Sequence, residues 1–324
     1  MPRQPVIALV ATGGTIAGTA DTPGAVTGYT AGVLGAEALL AAVPGLGEIA
    51  ALRAETLFNL DSKDMAPAHW LALAQRVQVL ADDPAIDGVV ITHGTDTLEE
   101  SAFFVHLTVA TAKPVVFTAA MRPATALSAD GPMNLLAAVR VAAAPAFHGL
   151  GTLVAINDRV YAARDVQKQR THGLDAFGAG EGAAVGRSDP ARPGLLVNRD
   201  GGSCAAALAS AALPAVEVLY IAAGASPALL DAVRGSGAAG AVLAFPGNGS
   251  VPEAWKPAID AALHAGMVLV RASRVPAGPV GHDTRLPASL LSAGDLPPSK
   301  ARVALMLALA CDRPQRFCTL AAPH

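Results

Sequence analysis

Gly88-Val89-Val90-Ile91-Thr92, running into His93-Gly94-Thr95-Asp96-Thr97, is the stretch that decides the fold of this chain. An apolar, β-branched run passes into a tight polar turn, and a helix-like segment follows from Leu98. Strand, turn and helix start in that order build an open α/β sheet, whose ligands bind outside the carboxyl ends of its strands. Thr95 and Asp96 therefore place a hydroxyl beside a carboxylate where such sheets hold ligands. The same order opens the chain, where Val6-Ile7-Ala8-Leu9-Val10 runs into Ala11-Thr12-Gly13-Gly14-Thr15-Ile16. Paired glycines let backbone N–H groups approach a ligand, with Thr15 at the rim. One threonine after a strand usually caps a helix. Two such turns predict a site built around two hydroxyls.

Working outward, apolar runs alternate with helical patterns, the signature of a parallel sheet covered on both faces. Strands are expected at Ile86–Thr92, Val115–Thr118 and Leu153–Ile156. Trp70, Leu73, Ala74, Val77, Leu80 and Ala81 recur at helical spacing. Asp130-Gly131-Pro132 starts another helix through Leu135, Leu136 and Val139. The pattern loosens from Arg192 to Pro214 and resumes with strands at Val216–Ala222, Ala241–Phe245 and Met267–Val270. Helices are expected near Pro252–His264 and at Ser299–Leu309. The fold class is α/β: a larger N-terminal domain (1–191) with a mostly parallel doubly wound sheet, a linker (192–214), and a smaller C-terminal α/β domain (215–324) with a parallel sheet.

The 324 residues suffice for two domains, and aromatics at 4% leave a core of small aliphatics. A net charge of −3 without blocks of like charge excludes a nucleic-acid surface. The apolar window Cys204–Ala225 leans on alanine and contains Pro214 and Glu217, so it reads as linker and buried strand rather than a membrane span. Cys204, Cys311 and Cys318 have neither disulfide nor metal-ligand spacing, and the eight histidines form no ligand cluster, so no metal or other cofactor is expected. Reduced thiols and a start without a signal-peptide pattern point to the cytoplasm, or to the periplasm where a leader has been removed.

Threonine is a weak nucleophile until a neighbour accepts its proton. Lys168, in Ala163-Arg164-Asp165-Val166-Gln167-Lys168, is one of only five lysines and follows the strand expected to end at Asn157. A lone lysine there is ordinarily solvated; beside Thr95 it would be a proton acceptor.

These residues resemble the two signatures of the bacterial-type L-asparaginase/glutaminase family, closest to its type II-like branch. The resemblance continues through Ala119-Ala120-Met121-Arg122-Pro123, Ser128-Ala129-Asp130-Gly131-Pro132, Arg164-Asp165-Val166, Arg271-Ala272-Ser273-Arg274-Val275-Pro276 and Lys300-Ala301-Arg302, nearly the whole chain. It implies an amidohydrolase acting on L-asparagine, with L-glutaminase side activity. It implies Thr15 as primary nucleophile on a mobile loop shared with Tyr29, and a second, rigid triad of Thr95, Asp96 and Lys168. Ser62 would hold the substrate α-carboxylate, Ala120 would contact the side-chain amide through its backbone, and Asp96 would face the α-ammonium. Backbone N–H groups of the glycine turns would serve the developing oxyanion. His93 is expected to support the structure rather than react. A homotetramer, a dimer of dimers with active sites between subunits, would bring Ser250 and the Asp283 region of a neighbour to each site.

Two positions depart from that family. Lys63 stands where a glutamine is usual, and Thr284 or Arg285 where a neighbour-donated glutamate is usual. Either Asp61 or Asp283 supplies the missing charge with Lys63 turned outward, or the site is retuned to low affinity or to a substrate without a free α-ammonium. Two other classes compete. A catalytically weak amino-acid-binding or regulatory protein would not need two activated hydroxyls, and a nucleotide-binding protein would rest only on glycine-rich turns after strands, without a Walker lysine.

Overall fold

The computed structural model describes residues 3–22, 28–180, 184–187, 201–311 and 313–322. The chain divides into two compact units, Met1–Ser203 and Cys204–His324. Of the expected linker, 192–200 lie outside the described residues, and the remainder carries a short 3-10 turn at Ala205–Ala209.

The first unit runs β1 (Val6–Gly13), α1 (Ala36–Ala41), α2 (Leu46–Ile49), β2 (Ala51–Leu60), α3 (Pro67–Asp82), β3 (Gly88–Thr92), α4 (Leu98–Thr108), β4 (Val115–Thr118), α5 (Gly131–Ala143) and β5 (Thr152–Ile156). It ends in β6 (Arg159–Ala162), a ribbon of β7 (Gln167–Lys168) with β8 (Phe177–Gly178), and β9 (Gly186–Arg187). Seven strands form one sheet in the order β2-β1-β3-β4-β5-β6-β9. The first five are parallel, and β6 and β9 are antiparallel. In an order of 2-1-3-4-5 the winding reverses between β1 and β3, the crevice where doubly wound sheets bind ligands. Thr15 follows β1 and Thr95 follows β3, so both turns open at that crevice.

Every residue of β3 is buried, as its β-branched run requires of a strand covered on two faces. One face packs Leu9, Val90, Val116 and Leu153 against α1, α2 and α5. On the other, α3 and α4 meet through stacked Trp70 and Phe104, 5.6 Å between ring centres, and a 2.9 Å hydrogen bond from the Trp70 indole to Ser101. The helix start expected at Asp130 is that of α5. The Asp130 carboxylate also accepts the Met121 and Arg122 N–H groups, both at 3.0 Å, and so fixes the turn after β4.

Two features differ from the sequence reading. No strand is expected over Ala51–Leu60, yet β2 pairs in parallel with β1 along its length. It is an edge strand, nowhere buried, and Arg53, Glu55 and Asn59 break any apolar run. The chain also does not leave the sheet at Asn157. Asn157 and Asp158 take left-handed φ of 49° and 59°, the two-residue turn that folds β5 back onto β6. Lys168 therefore follows a hairpin.

The second unit carries β10 (Val216–Tyr220), α6 (Ala228–Gly235), β11 (Gly240–Phe245), α7 (Lys256–His264), β12 (Val268–Ser273), β13 (Leu291–Ser292), α8 (Pro298–Ala310) and α9 (Arg316–Ala321). Its four strands are parallel in the order β10-β11-β12-β13. Phe245 meets Trp255 edge-on at 5.6 Å inside a core with Leu230 and Ile259. Among the described residues no helix is long and apolar enough to cross a membrane.

Candidate functional site

The turns after β1 and β3 press against each other. Gly14 sits at φ 80°, and a Cβ there would collide with the Gly94 backbone. Glycine at both positions is thus what lets two threonine-bearing turns share one crevice. Thr15, Tyr29, Asp61, Thr95, Asp96 and Lys168 line a pocket of about 440 Å³, together with Met121, Arg122 and the 171–174 segment.

Each hydroxyl has its own partner. Thr15 Oγ1 lies 2.6 Å from the Tyr29 hydroxyl, and either can donate. Lys168 Nζ donates to Thr95 Oγ1 at 2.9 Å and to Asp96 Oδ1 at 2.6 Å. Both threonines are buried, with 6% of their surface exposed, so each hydroxyl depends on its protein partner more than on water. Lys168 is held by more than its ammonium. Its backbone N–H donates to Glu99 Oε2 at 2.6 Å. Glu99 stands in the first turn of α4, two residues beyond Thr97, so one helix start positions both the threonine and the strand that brings its lysine. The sequence reading does not single out Glu99. An acid in a first helical turn ordinarily reads as a complement to the helix dipole, and nothing local announces a partner 69 residues away.

Ser62 is buried at the carboxyl end of β2, and its Oγ accepts the Asp96 N–H at 3.2 Å. Its carbonyl accepts from Thr97 Oγ1 at 2.8 Å. Having accepted one hydrogen bond, the Ser62 hydroxyl keeps its own proton to donate. The glycine-turn amides are less available than expected. Gly14 N–H donates to the Leu60 carbonyl at 2.8 Å, and Asp96 N–H is taken by Ser62. Ala120 is fully buried just past β4, and Met121 and Arg122 form that wall of the pocket.

Lys63 bonds Asp61 through its ammonium, and Asp61 also accepts the Lys63 backbone N–H at 3.3 Å. The Asp61 hydrogen bond raises the Lys63 pKa above its ordinary value, with further attraction from Asp61, Asp64 and Asp96. Behind the Thr95 turn, His93 is fully buried with Nδ1 2.8 Å from the Gly94 carbonyl. Burial pushes its pKa down to about 4, against the smaller opposite pull of the Gly94 bond. At neutral pH it is an uncharged prop.

Ser250, Asp283 and Arg285 belong to the second unit, where with Arg271 they line a separate cavity of about 370 Å³. Arg285 grips Asp283 with two bonds of 2.9 Å, holding that carboxyl far below the usual range. Arg271 is 5% exposed, and its guanidinium donates to the carbonyls of Asn248 and Gly249 at 3.1 and 3.0 Å and to that of Gly281. It thereby fixes the two loops that carry Ser250 and Asp283.

Comparison with known proteins places these features in a family. Residues 6–197 match the family described as Asparaginase, N-terminal, and residues 215–316 match the Glutaminase/Asparaginase C-terminal domain. L-asparaginase 2 of Bacillus subtilis is 42% identical over 94% of this chain and 82% of its own length. A glutaminase-asparaginase of Pseudomonas fluorescens is 38% identical over 94% of this chain and 86% of its own. A crystal structure of a probable cytoplasmic L-asparaginase from Campylobacter jejuni superposes with a TM-score of 0.93 at 38% identity, covering 98% of this chain and 99% of that one.

Proposed function

This chain belongs to the asparaginase family, and from that premise we propose that it hydrolyses the side-chain amide of L-asparagine to L-aspartate and ammonia, with slower turnover of L-glutamine. The observation that carries this reading is the pair of buried threonine hydroxyls, each with its own proton partner, lining one pocket at the switch point of the sheet. A site that only binds has no use for two of them.

Thr15 Oγ1 attacks the amide carbon as its proton passes toward Tyr29. The C–N bond then breaks, ammonia leaves with a proton, and an ester to Thr15 remains. Thr95, with Lys168 and Asp96, moves the protons of the second step, in which water cleaves that ester. When Lys168 holds a free amine, its 2.9 Å contact can accept the Thr95 proton. The Ser62 hydroxyl suits the substrate α-carboxylate, the Asp96 carboxylate its ammonium, and the Ala120 backbone its amide.

Assembly into a homotetramer, with Ser250 and Asp283 completing a neighbour's site, belongs to the same proposal and rests on the family resemblance. Residence in the cytoplasm rests on the sparse, odd count of three cysteines, whose spacing suits reduced thiols rather than a disulfide framework. Ammonia release from purified protein given L-asparagine or L-glutamine tests the activity. No release from either would leave a binding protein on this scaffold. Sedimentation at assay concentration tests the assembly, and a fully active monomer would refute it.

A further inference from the structure

Charge around the pocket of the first unit leads past L-asparagine. Two carboxylates line it, Asp61 and Asp96, against two cations, Arg122 and Lys168. Each carboxylate already carries an ammonium from the chain itself: Lys168 lies on Asp96, and Lys63 on Asp61. Lys63, just outside the lining, also lies 3.9 Å from Asp64, so the charges around the pocket are balanced before any ligand enters.

A ligand ammonium entering here has two places to go. It can share Asp96 with Lys168, a cation that repels it. Displacing Lys168 instead would take the lysine from Thr95, 2.9 Å away, and undo the site. Otherwise it must displace Lys63 from Asp61. Lys63 is free to swing, its side chain being 64% exposed, so this competition is real but modest. A ligand without an ammonium meets no such competitor. Lys63 stays on Asp61, no carboxylate is left unpaired, and a monoanion avoids the competition that a zwitterion's ammonium meets.

We propose that this pocket also takes ω-monoamides of short dicarboxylic acids lacking an α-ammonium, with Lys63 on Asp61 in place of the missing substrate charge. The chemistry is that already proposed: the amide C–N bond is exchanged for a threonine ester, ammonia leaves, and water releases the dicarboxylate. The inference rests on that amidase reading and adds a second substrate class to it.

The test measures ammonia release from L-asparagine and from succinamate, the monoamide of succinic acid, by the wild-type protein and by Lys63→Gln. Wild type is expected to turn over both, with kcat/KM for succinamate within about tenfold of that for L-asparagine, since one exposed charge contact is worth little. Lys63→Gln should shift the ratio about three- to fivefold toward L-asparagine, mostly through KM, the range one exposed ion pair spans. Added salt should compress that shift. Turnover of L-asparagine without succinamate, or a ratio indifferent to Lys63→Gln, overturns the inference and leaves the amidase reading standing. Succinamate turnover alone supports the inference and removes α-amino acids as substrates. Ammonia from neither overturns both.

Discussion

Thr15 and Thr95 are equally buried, yet the molecule holds them by opposite means. Thr15 has one phenol, Tyr29, whose following residues bond the backbone around the Thr15 turn. Thr30 pairs with Thr19, Gly32 N–H donates to the Gly14 carbonyl at 3.1 Å, and Val33 N–H to that of Ala17 at 2.8 Å. Thr95 has an ammonium fixed at both ends: Lys168 Nζ lies on Asp96, and the Lys168 backbone on Glu99. One hydroxyl is served by a neutral phenol on a segment held by backbone bonds, the other by a charged group built into a helix start and a strand. The lesson is a division of labour. A step that relays a proton between neutral hydroxyls suits the first arrangement, and a step that needs a charge-assisted geometry suits the second.

If the two halves serve different steps, neither can replace the other. Thr15→Ala and Thr95→Val should each lower kcat by about a hundredfold to ten-thousandfold, the range for losing a proton-transfer or covalent role. Rapid-quench detection of a covalent intermediate would sharpen the contrast. It should vanish in Thr15→Ala and persist in Thr95→Val. Near-normal turnover in either variant removes that threonine from the mechanism.

Acid should weaken the fold at the Thr95 turn. His93 lies directly before that turn, and its pKa near 4 lies below the 6.5 of an exposed histidine. Between these values the unfolded chain binds the proton that the folded one refuses, so stability falls as pH drops from 6.5 toward 4. The difference amounts to about 3 kcal/mol across that window. Urea unfolding at pH 7 and pH 5 should show about 2 kcal/mol of this loss in wild type and a smaller one in His93→Gln. Equal slopes would mean that another group titrates.

How much of this contrast is legible in the sequence follows from how local each part is. The two strand–turn–threonine units announce themselves because β-branched runs, glycines and hydroxyls lie within ten residues of one another. The winding order that sets them side by side does not. It depends on β2, an edge strand whose Arg53, Glu55 and Asn59 interrupt any apolar period. Tyr29 carries no local signal of its own and comes from the family resemblance, while Lys168 is marked by its place after a strand and is tied to Thr95 by that resemblance. Glu99 escapes both routes. Nor can charges alone show that Lys63 and Arg285 are each matched by an aspartate two residues earlier, since only the turn geometry turns those side chains back.

Glu99 tests the rigid half more finely. Glu99→Ala removes the acceptor of the Lys168 N–H and should lower kcat about tenfold while leaving KM within about twofold, as loss of positioning does. Glu99→Gln keeps an acceptor and should recover most of the rate. If both variants lose it equally, the carboxylate charge matters more than the hydrogen bond. If neither does, the ion pair with Asp96 is enough to place Lys168. The Thr15–Tyr29 half should be indifferent to these changes, which a covalent intermediate formed at the normal rate would show.

The smallest effects belong to Lys63 and Arg285. Each cation lies on its own aspartate, one in each unit, and both are exposed, by 64% and 84%. Neither is an uncompensated charge, so neither should repel a substrate ammonium at full strength. Lys63→Gln frees the Asp61 carboxylate in the pocket and should lower KM for L-asparagine a few-fold, about the value of one exposed ion pair. Arg285→Glu acts on the second unit and should contribute only where a neighbour brings Asp283 to the site. The double variant then distinguishes the cases. A KM lowered by more than the product of the single effects places the two cations around one ammonium, across two subunits. Strict multiplication keeps them apart. A KM that rises in Lys63→Gln means that Lys63 assists binding, and Asp61→Asn becomes the variant that shows which charge it assists.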